Sequence, residues 1–264
     1  MTERSRGFGV AAGLDPEVAT PLASRCQELG YGSIWSNNTP MASGLETLAA
    51  FVEGADEIQL GVAVVALDKN DPGDIARKID ELGLPRDRLW LGIGSGFSKK
   101  PLTTMRESLP GLRDTFGDIR LMLAAMGPKM CEFAGAEFDG VCFNWMTPDF
   151  ARQARGHVER GAADAGRESP PVMGYVRTAI GDDAQPRLAK EETFYRELHH
   201  GYKSHFDRLD EEVGTVGVAE PDSVAAQHQL DDFEALDITV VRGLASANLE
   251  AMATLAEQAG PQGE

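Results

Sequence analysis

The sequence has few cysteines and few basic residues, and it lacks long apolar runs. Its three cysteines, Cys26, Cys131 and Cys142, include no C-x-x-C pair, so we expect buried reduced thiols rather than a disulfide framework. Lysine and arginine total 25 against 42 aspartates and glutamates, and the resulting net charge of −17 would repel nucleic acid and anionic membranes. No run of 18 apolar residues and no secretory leader is recognisable. We therefore expect a cytoplasmic protein that binds neither a membrane nor nucleic acid.

Several motifs for nucleotide binding and hydrolysis are also absent. The chain contains no G-x-x-x-x-G-K-[ST], no G-x-S-x-G and no H-E-x-x-H, which argues against a P-loop, an α/β-hydrolase and a helical zinc site. Three closely spaced histidines, His199, His200 and His205, lie in a charged segment that we interpret as a solvated helix face. No metal site is therefore predicted.

Short apolar runs alternate with helical segments along the whole chain. The eight predicted strands are 7–12, 31–35, 58–67, 88–96, 119–124, 141–145, 172–180 and 238–241. Strict alternation predicts a parallel sheet with right-handed crossovers, and eight units predict that the sheet closes. The expected fold is a single-domain α/β protein, a (β/α)8 TIM barrel over residues 1–264. An open, doubly wound sheet is the alternative.

Residue types at the helix ends predict several boundaries. The predicted N-caps that precede a proline are Asp15, Asp71 and Thr147. Ser43 and Glu46 predict a capping box, and Ser246 is expected to cap the last helix. The helix after the fourth strand is expected to break near Pro110. The polar residues 181–214 predict an exposed helical excursion.

The fourth strand runs into the spaced glycines Gly92, Gly94 and Gly96. Glycine leaves no Cβ between backbone N–H groups and a ligand, so this turn is a candidate binding edge. A tight connection without a ligand explains the same spacing equally well. A Rossmann fingerprint is disfavoured, because the third glycine comes too early and the strand is not the first of the chain.

In a barrel of this class the functional site lies at the carboxyl ends of the strands. The residues there are rich in amides, glycines and hydroxyls, with few paired acids. They are Trp35, Asn37, Asn38, Ala66, Asp68, Gly94, Ser95, Gly96, Gly127, Pro128, Asn144, Trp145, Thr147, Arg177, Thr178, Arg242 and Gly243. This set suits a planar polar ligand and an anion better than it suits hydrolysis.

Five stretches, taken in order, resemble the bacterial luciferase-like monooxygenase family. They read ELGYGSIW at 28–35, IQLGVAV at 58–64, RLWLGIGSG at 88–96, AAMGPKM at 124–130 and DGVCFNWMTP at 139–148. The resemblance implies a TIM barrel that binds FMN or the deazaflavin coenzyme F-420 at its C-terminal face and is usually a homodimer. The fourth and fifth stretches favour the deazaflavin branch.

The resemblance also implies which residues hold the cofactor. The third strand at Ala63 and Val64, often with a non-proline cis peptide, would lie against the ring, and the phosphate would meet the helix start at Gly127. A helix N-terminus favours an anion on physical grounds as well. The full implied set is Ala63, Val64, Gly94, Ser95, Gly96, Gly127, Pro128, Asn144, Trp145 and Thr147.

Two positions depart from the family pattern. Many members carry an acid–histidine pair where this chain has Asn37 and Asn38, and many deazaflavin enzymes have Glu or His where it has Phe97. An asparagine is no general base near pH 7, but it can hydrogen-bond a substrate, so Asn37 and Asn38 are the candidate catalytic residues.

The expected activity is hydride transfer or monooxygenation of a small organic substrate, with the cofactor carrying the chemistry. Two alternatives stay open. One is a non-catalytic flavin-binding protein of the same fold, and the other is a lyase or isomerase that binds a phosphorylated substrate at Gly127.

Overall fold

The computed structural model describes residues 4–262, so residues 1–3 and 263–264 of the predicted domain lie outside the described residues. The strands are β1 (Ser5–Val10), β2 (Ser33–Ser36), β3 (Gln59–Ala66), β4 (Leu89–Gly94), β5 (Arg120–Ala124), β6 (Gly140–Asn144), β7 (Val172–Ile180), β8 (Val218–Glu220) and β9 (Ile238–Gly243). The helices are α1 (Pro16–Glu28), α2 (Gly44–Gly54), α3 (Pro72–Glu81), α4 (Pro101–Phe116), α5 (Pro128–Glu137), α6 (Pro148–Asp164), α7 (Ala184–Leu198), α8 (His200–Leu209), α9 (Ser223–Asp231) and α10 (Leu249–Gln258).

Eight parallel strands close into a barrel. Strands β1 to β7 pair in chain order, β7 pairs with β9, and β9 pairs with β1 to complete the ring. Strand β8 lies outside this ring and pairs only with the carboxyl end of β7, from Thr178 opposite Val218. The predicted TIM barrel is therefore confirmed, and a closed sheet excludes the open, doubly wound alternative.

All eight predicted strands form the barrel, whereas β8 was not predicted. It has only three residues, of which Val218 is buried, and so short a segment has no detectable period. The break expected near Pro110 is wrong, because α4 continues through it. Pro110 lies on the exposed side of the helix, where water can bond the carbonyl group that the missing N–H leaves free.

Two predicted caps are also wrong. Ser43 precedes α2, but its side chain accepts no capping hydrogen bond, and the first N–H of the helix, at Gly44, donates to Oδ1 of Asn38 at 3.0 Å. Glu46 instead lies 2.7 Å from Nζ of Lys78, so it does not complete the box. The last helix is capped by Asn248 rather than Ser246, with the Asn248 side chain accepting from the N–H of Ala251. The caps predicted at Asp15, Asp71 and Thr147 are confirmed.

The barrel interior is packed with side chains. Its core residues are Trp35, Ala63, Trp90, Met122, Cys142, Met173, Tyr175 and Val240. A Cβ on Gly61 would lie 2.0 Å from the Trp35 ring, so only glycine leaves room for that indole. A larger apolar cluster lies between the barrel and its helices. Because the barrel is filled rather than hollow, its interior cannot hold a ligand, and in this fold ligands bind at the carboxyl ends of the strands.

The three cysteines are free and buried, as predicted. Burial in apolar surroundings raises the pKa of Cys131 and of Cys142 to about 12, so both thiols are neutral near pH 7. Within residues 4–262 no helix combines the length and apolar character needed to cross a bilayer.

The excursion predicted at 181–214 is helical, as α7 and α8 demonstrate, but it is not simply exposed. Its inner face packs on Trp145 in a separate cluster with Leu188, Phe206 and Val216. Glu192 is completely buried there. Its carboxylate accepts from Arg196 at 2.6 Å and from the N–H groups of Gly214 and Val216 at 2.9 and 3.3 Å. A buried charged residue such as Glu192 makes a packed segment resemble a solvent-exposed one when only its sequence is considered.

Candidate active site

The interior of the barrel changes character at the carboxyl ends of the strands. Side chains alternate between the two faces of a strand, so residues two positions beyond the core layer lie above it. On β5 this residue is Ala124. On β4 it is Gly94, four positions beyond Trp90, and a Cβ on Gly94 would lie 3.5 Å from Val64 and 3.7 Å from Ala124. On the other side they are polar, namely Asn37, Asn144, Arg177 and Arg242. At the carboxyl end of the barrel, one half therefore lacks polar side chains and the other half is lined by them. We call these the bare half and the polar half.

Three side chains on the polar half form a hydrogen-bonded chain. Nη1 of Arg177 donates to Oδ1 of Asn144 at 2.5 Å, and Nδ2 of Asn144 donates to the hydroxyl oxygen of Tyr202 at 3.1 Å. Burial raises the pKa of Tyr202 to about 12, so its phenol is neutral near pH 7. Because its oxygen already accepts from Asn144, the Tyr202 proton is directed to another acceptor.

The guanidinium of Arg177 lies among aromatic rings. Its central carbon is 4.5 Å from the ring centroid of Trp145 and 5.0 Å from that of Tyr195. Cation–π contacts of this kind hold a guanidinium in place without neutralising it. Arg177 is 3% exposed, and its Nε has no hydrogen-bond partner among residues 4–262.

The backbone of Trp145 is itself held by a hydrogen bond. It has a positive φ of 55°, and its carbonyl accepts from Nε2 of His205 at 2.6 Å. His205 is fully buried, which corrects the prediction that all three histidines form a solvated face. Burial lowers the pKa of His205 to about 4, and Arg208 contributes in the same direction, so this imidazole is neutral near pH 7. Its role is to position Trp145, and no metal-ligating cluster exists within the described 4–262.

Arg242 lies opposite Arg177 in the register of β9 against β7. It is 9% exposed, and Nη1 donates to the carbonyl of Gly243 at 3.2 Å. Burial lowers the pKa of Arg242 below its ordinary value, and the charge of Arg177 lowers it further. In the part of the chain that the structure describes, neither guanidinium forms an ion pair with a carboxylate.

The glycine turn after β4 is tied to the end of β3. Gly96 has a φ of +60°, and a Cβ there would lie 1.7 Å from Oδ1 of Asp68. The other carboxylate oxygen of Asp68 accepts from the N–H of Phe97 at 3.1 Å. The peptide between Ala63 and Val64 is cis, as the resemblance implied. Ala63, Val64 and Gly94 are thus neighbours on one edge of the bare half.

Phe97 and His199 lie in contact beside the end of the barrel. Their ring centroids are 4.4 Å apart, which joins the turn after β4 to the start of α8. Phe97 is 53% exposed, so this contact lies at the surface. Burial lowers the pKa of His199, and the neighbouring His200 lowers it further.

The two candidate catalytic asparagines hold neighbouring loops. Oδ1 of Asn37 accepts from the N–H of Ala12 at 2.9 Å, and Oδ1 of Asn38 accepts from Gly44. Within residues 4–262 their NH2 groups have no acceptor, so each retains donors for a ligand. Their catalytic role stays a prediction.

The other predicted contacts lie at two helix starts. Gly127 precedes α5, and a Cβ on it would meet no atom within 4 Å. Thr147 caps α6, accepting from the N–H of Phe150 at 3.2 Å. Pro128 is the first residue of α5, and Ser95 lies in the turn after β4. Open space at Gly127 leaves its helix N-terminus accessible to an anion.

Sequence reasoning missed Tyr195 and Tyr202, because both belong to the excursion that was expected to be exposed. The only signal was the recurrence of aromatic residues in an otherwise polar segment, at Phe194, Tyr195, Tyr202 and Phe206. Arg177 and Arg242 were found as strand-end residues but were given no role.

Comparison with known proteins identifies relatives of this chain. A sequence model of the family described as luciferase-like monooxygenase matches residues 103–247. The 5,10-methylenetetrahydromethanopterin reductase of Methanolobus tindarius is 27% identical over an alignment of 202 residues, and the match covers 61% of this chain. The match likewise spans only 61% of the length of that reductase.

Solved structures share the fold over nearly the whole chain. The coenzyme F-420-dependent tetrahydromethanopterin reductase from Methanopyrus kandleri has a TM-score of 0.75, at 17% identity and 98% coverage of both chains. The oxygenating constituent of 3,6-diketocamphane monooxygenase from Pseudomonas putida, solved with FMN, has a TM-score of 0.67 at 13% identity. The match covers 98% of this chain and 99% of that monooxygenase chain.

These structural likenesses, at low identity, concern the fold alone, and they agree with the closed barrel of eight parallel strands. Membership rests on the family match, which covers more than half of the 264 residues and includes the strand-end residues Asn144, Arg177 and Arg242. The protein belongs to the luciferase-like monooxygenase family of oxidoreductases.

Proposed function

We propose that the protein uses coenzyme F-420 to transfer hydride to or from a small organic substrate. Support for the cofactor comes from the reductases among its relatives. The M. tindarius relative is named as a methylenetetrahydromethanopterin reductase, and the M. kandleri fold relative as a coenzyme F-420-dependent enzyme. The observation that carries the proposal is the division of the barrel end into a bare half and a polar half.

The residues at the barrel end fit a deazaflavin. The bare half at Val64, Gly94 and Ala124 offers a surface without polar side chains for one face of a flat ring. Gly94 adds no side chain to this surface, and the open space at Gly127 suits the phosphate. The edges of the bare half and of the Gly127 helix start also include Ala63, Ser95, Gly96 and Pro128. When bound, the deazaflavin supplies the hydride chemistry, and the protein supplies binding and orientation.

The polar half supplies hydrogen-bond donors rather than a base. Tyr202 is held neutral, and Asn144 fixes its oxygen so that its proton is available to a substrate oxygen or nitrogen. Asn37 and Asn38 can donate from their NH2 groups. Donors of this kind can stabilise charge that develops when a hydride adds to a C=O or C=N group. A strong general base is not required for that reaction.

An assay with reduced coenzyme F-420 tests the proposal. Cyclic ketones, imines and activated alkenes are supplied with and without oxygen, and oxidation of the cofactor is followed by its absorbance. We expect one substrate class to oxidise the cofactor at the same rate in both conditions. Substrate-dependent turnover that requires FMN and oxygen would identify a monooxygenase instead.

One observation favours a second candidate, a non-catalytic binding protein. The amide oxygens of Asn37 and Asn38 are used by the backbone at Ala12 and Gly44, where many family members carry an acid and a histidine. Cofactor binding without turnover of any substrate class would support this candidate. The predicted homodimer is a separate proposal that sedimentation would test.

A further inference from the structure

We propose that Arg177 and Arg242 bind the anionic group of the substrate, and that the substrate is therefore an organic acid such as a carboxylate, sulfonate or phosphate ester. The inference rests on the proposed function, because it names the substrate class of the same site. The proposed phosphate position of the cofactor, Gly127, follows β5, whereas the two arginines lie on β7 and β9. The arginine pair is thus available to a second ligand.

The two guanidiniums are adjacent and buried, and neither forms an ion pair within the described residues. They are partners in the register of two hydrogen-bonded strands, and they are 3% and 9% exposed. Burying a charge without a partner is unfavourable, and placing two like charges side by side is more unfavourable still. The chain carries 42 acidic residues, yet among the described ones none forms an ion pair with either arginine. An anionic ligand would remove this cost.

Most of the donors of the pair are unused by the protein. A guanidinium has five N–H groups in a planar fork that matches an oxyanion. Within residues 4–262, Nη1 of Arg177 bonds Asn144, its Nε bonds nothing, and Arg242 bonds only the carbonyl of Gly243. The remaining donors can form several charge-assisted hydrogen bonds to one anion.

The surroundings hold the charges in place and keep them unneutralised. Arg177 is fixed by the faces of Trp145 and Tyr195, which attract a cation but carry no net charge. The side chain of Arg242 turns into the barrel end, because a Cβ on Gly9 would lie 3.4 Å from its Cδ and 3.0 Å from the Tyr175 ring. Both arginines therefore reach the same polar half as Asn144 and Tyr202.

Calorimetry with simple anions tests this site. Benzoate, benzenesulfonate and phenyl phosphate are titrated into the protein at low chloride concentration, with uncharged benzamide as a control ligand. We expect at least one anion to bind and benzamide not to bind. Arg242→Gln should weaken that binding by about tenfold or more, and Arg242→Lys should restore part of it.

Arg120→Gln is the matched control. Arg120 also stacks on an interior tryptophan, at 4.4 Å from the Trp90 ring, but it is the first residue of β5 at the opposite end of the barrel. Its loss should leave anion affinity unchanged. Equal affinity in Arg242→Gln, or no binding of any anion by the wild type, would overturn the proposal.

A second titration uses protein loaded with coenzyme F-420. Anion binding that persists in the loaded protein supports a substrate site, whereas anion binding abolished by loading would assign the pair to the cofactor and overturn the proposal. Anion binding by a protein that takes up no deazaflavin would instead contradict the proposed function and leave the arginine site standing.

Discussion

Arg177 on β7 donates a hydrogen bond of 2.5 Å to Asn144 on β6 at the end of the barrel. The contact fixes the orientation of the Asn144 amide. Because its oxygen accepts from the Arg177 guanidinium, its nitrogen faces Tyr202. One asparagine thus links a buried cation to the phenol that is available to a substrate.

Replacing Asn144 by leucine should destabilise the protein and uncouple Arg177 from Tyr202. The substitution leaves a buried guanidinium N–H and a phenol oxygen without their partner, which costs about 1–3 kcal/mol for each unsatisfied group. Urea unfolding measures the loss. Asn144→Asp, which keeps the acceptor for Arg177, should lose much less stability at pH 7. Equal loss in both variants would indicate that packing rather than hydrogen bonding matters at this position.

Glu192→Gln should loosen the segment formed by α7 and α8. The substitution removes the charge that Arg196 and the N–H groups of Gly214 and Val216 share, and breaking a buried pair costs about 3–5 kcal/mol. Limited proteolysis should then cut within this segment while the barrel persists. Glu197→Gln is the control, because Glu197 is exposed on the same helix. Identical cleavage of the two variants would contradict the anchoring role of Glu192.

His205 should make the protein less stable in mild acid. Its pKa is about 4 in the folded protein against 6.5 in an unfolded chain, so the unfolded chain binds more protons between these values. The contribution of His205 to the free energy of unfolding is fully present above pH 6.5. It is lost as the pH falls towards 4, and it amounts to about 3 kcal/mol. His205→Gln can still donate to the Trp145 carbonyl. Urea unfolding at pH 5 and pH 7.5 should therefore show a smaller difference for the variant than for the wild type.

Gly127→Val should weaken cofactor binding without unfolding the protein. The backbone at Gly127 is extended and a Cβ meets no protein atom, so the fold tolerates valine. A branched side chain would occupy the space proposed for the phosphate and reduce affinity by more than about tenfold, or 1.4 kcal/mol. Gly111→Val is the control, since a Cβ on that glycine of α4 also meets nothing. Unchanged affinity in a folded Gly127→Val protein would remove Gly127 from the site.

The barrel could be predicted from the sequence because each of its strands is an apolar run bounded by turn residues. Boundaries failed where a tertiary contact replaced the local signal. Glu46, which was expected to complete the capping box with Ser43, instead reaches Lys78 on another helix. Local patterns contain no information about contacts between residues of different elements.

The site was predicted less completely than the fold. Gly94 and Gly127 could be found because a missing side chain at a strand end is visible in the sequence itself. Tyr202 was missed, because its role depends on the packing of α8 over Trp145, 57 positions earlier in the chain. Arg177 and Arg242 stood among the strand-end residues, but their adjacency follows from the pairing of β7 with β9, which only the closed barrel supplies.

The most direct test of the central claim is a parallel fluorescence titration of the purified apoprotein with coenzyme F-420 and with FMN. We expect F-420 to bind with micromolar affinity and FMN to bind at least about tenfold more weakly. Tighter binding of FMN would contradict the choice of cofactor and favour a flavin monooxygenase. Binding of neither would mean that the barrel end serves another ligand, and a phosphorylated substrate held at Gly127 would become the leading hypothesis.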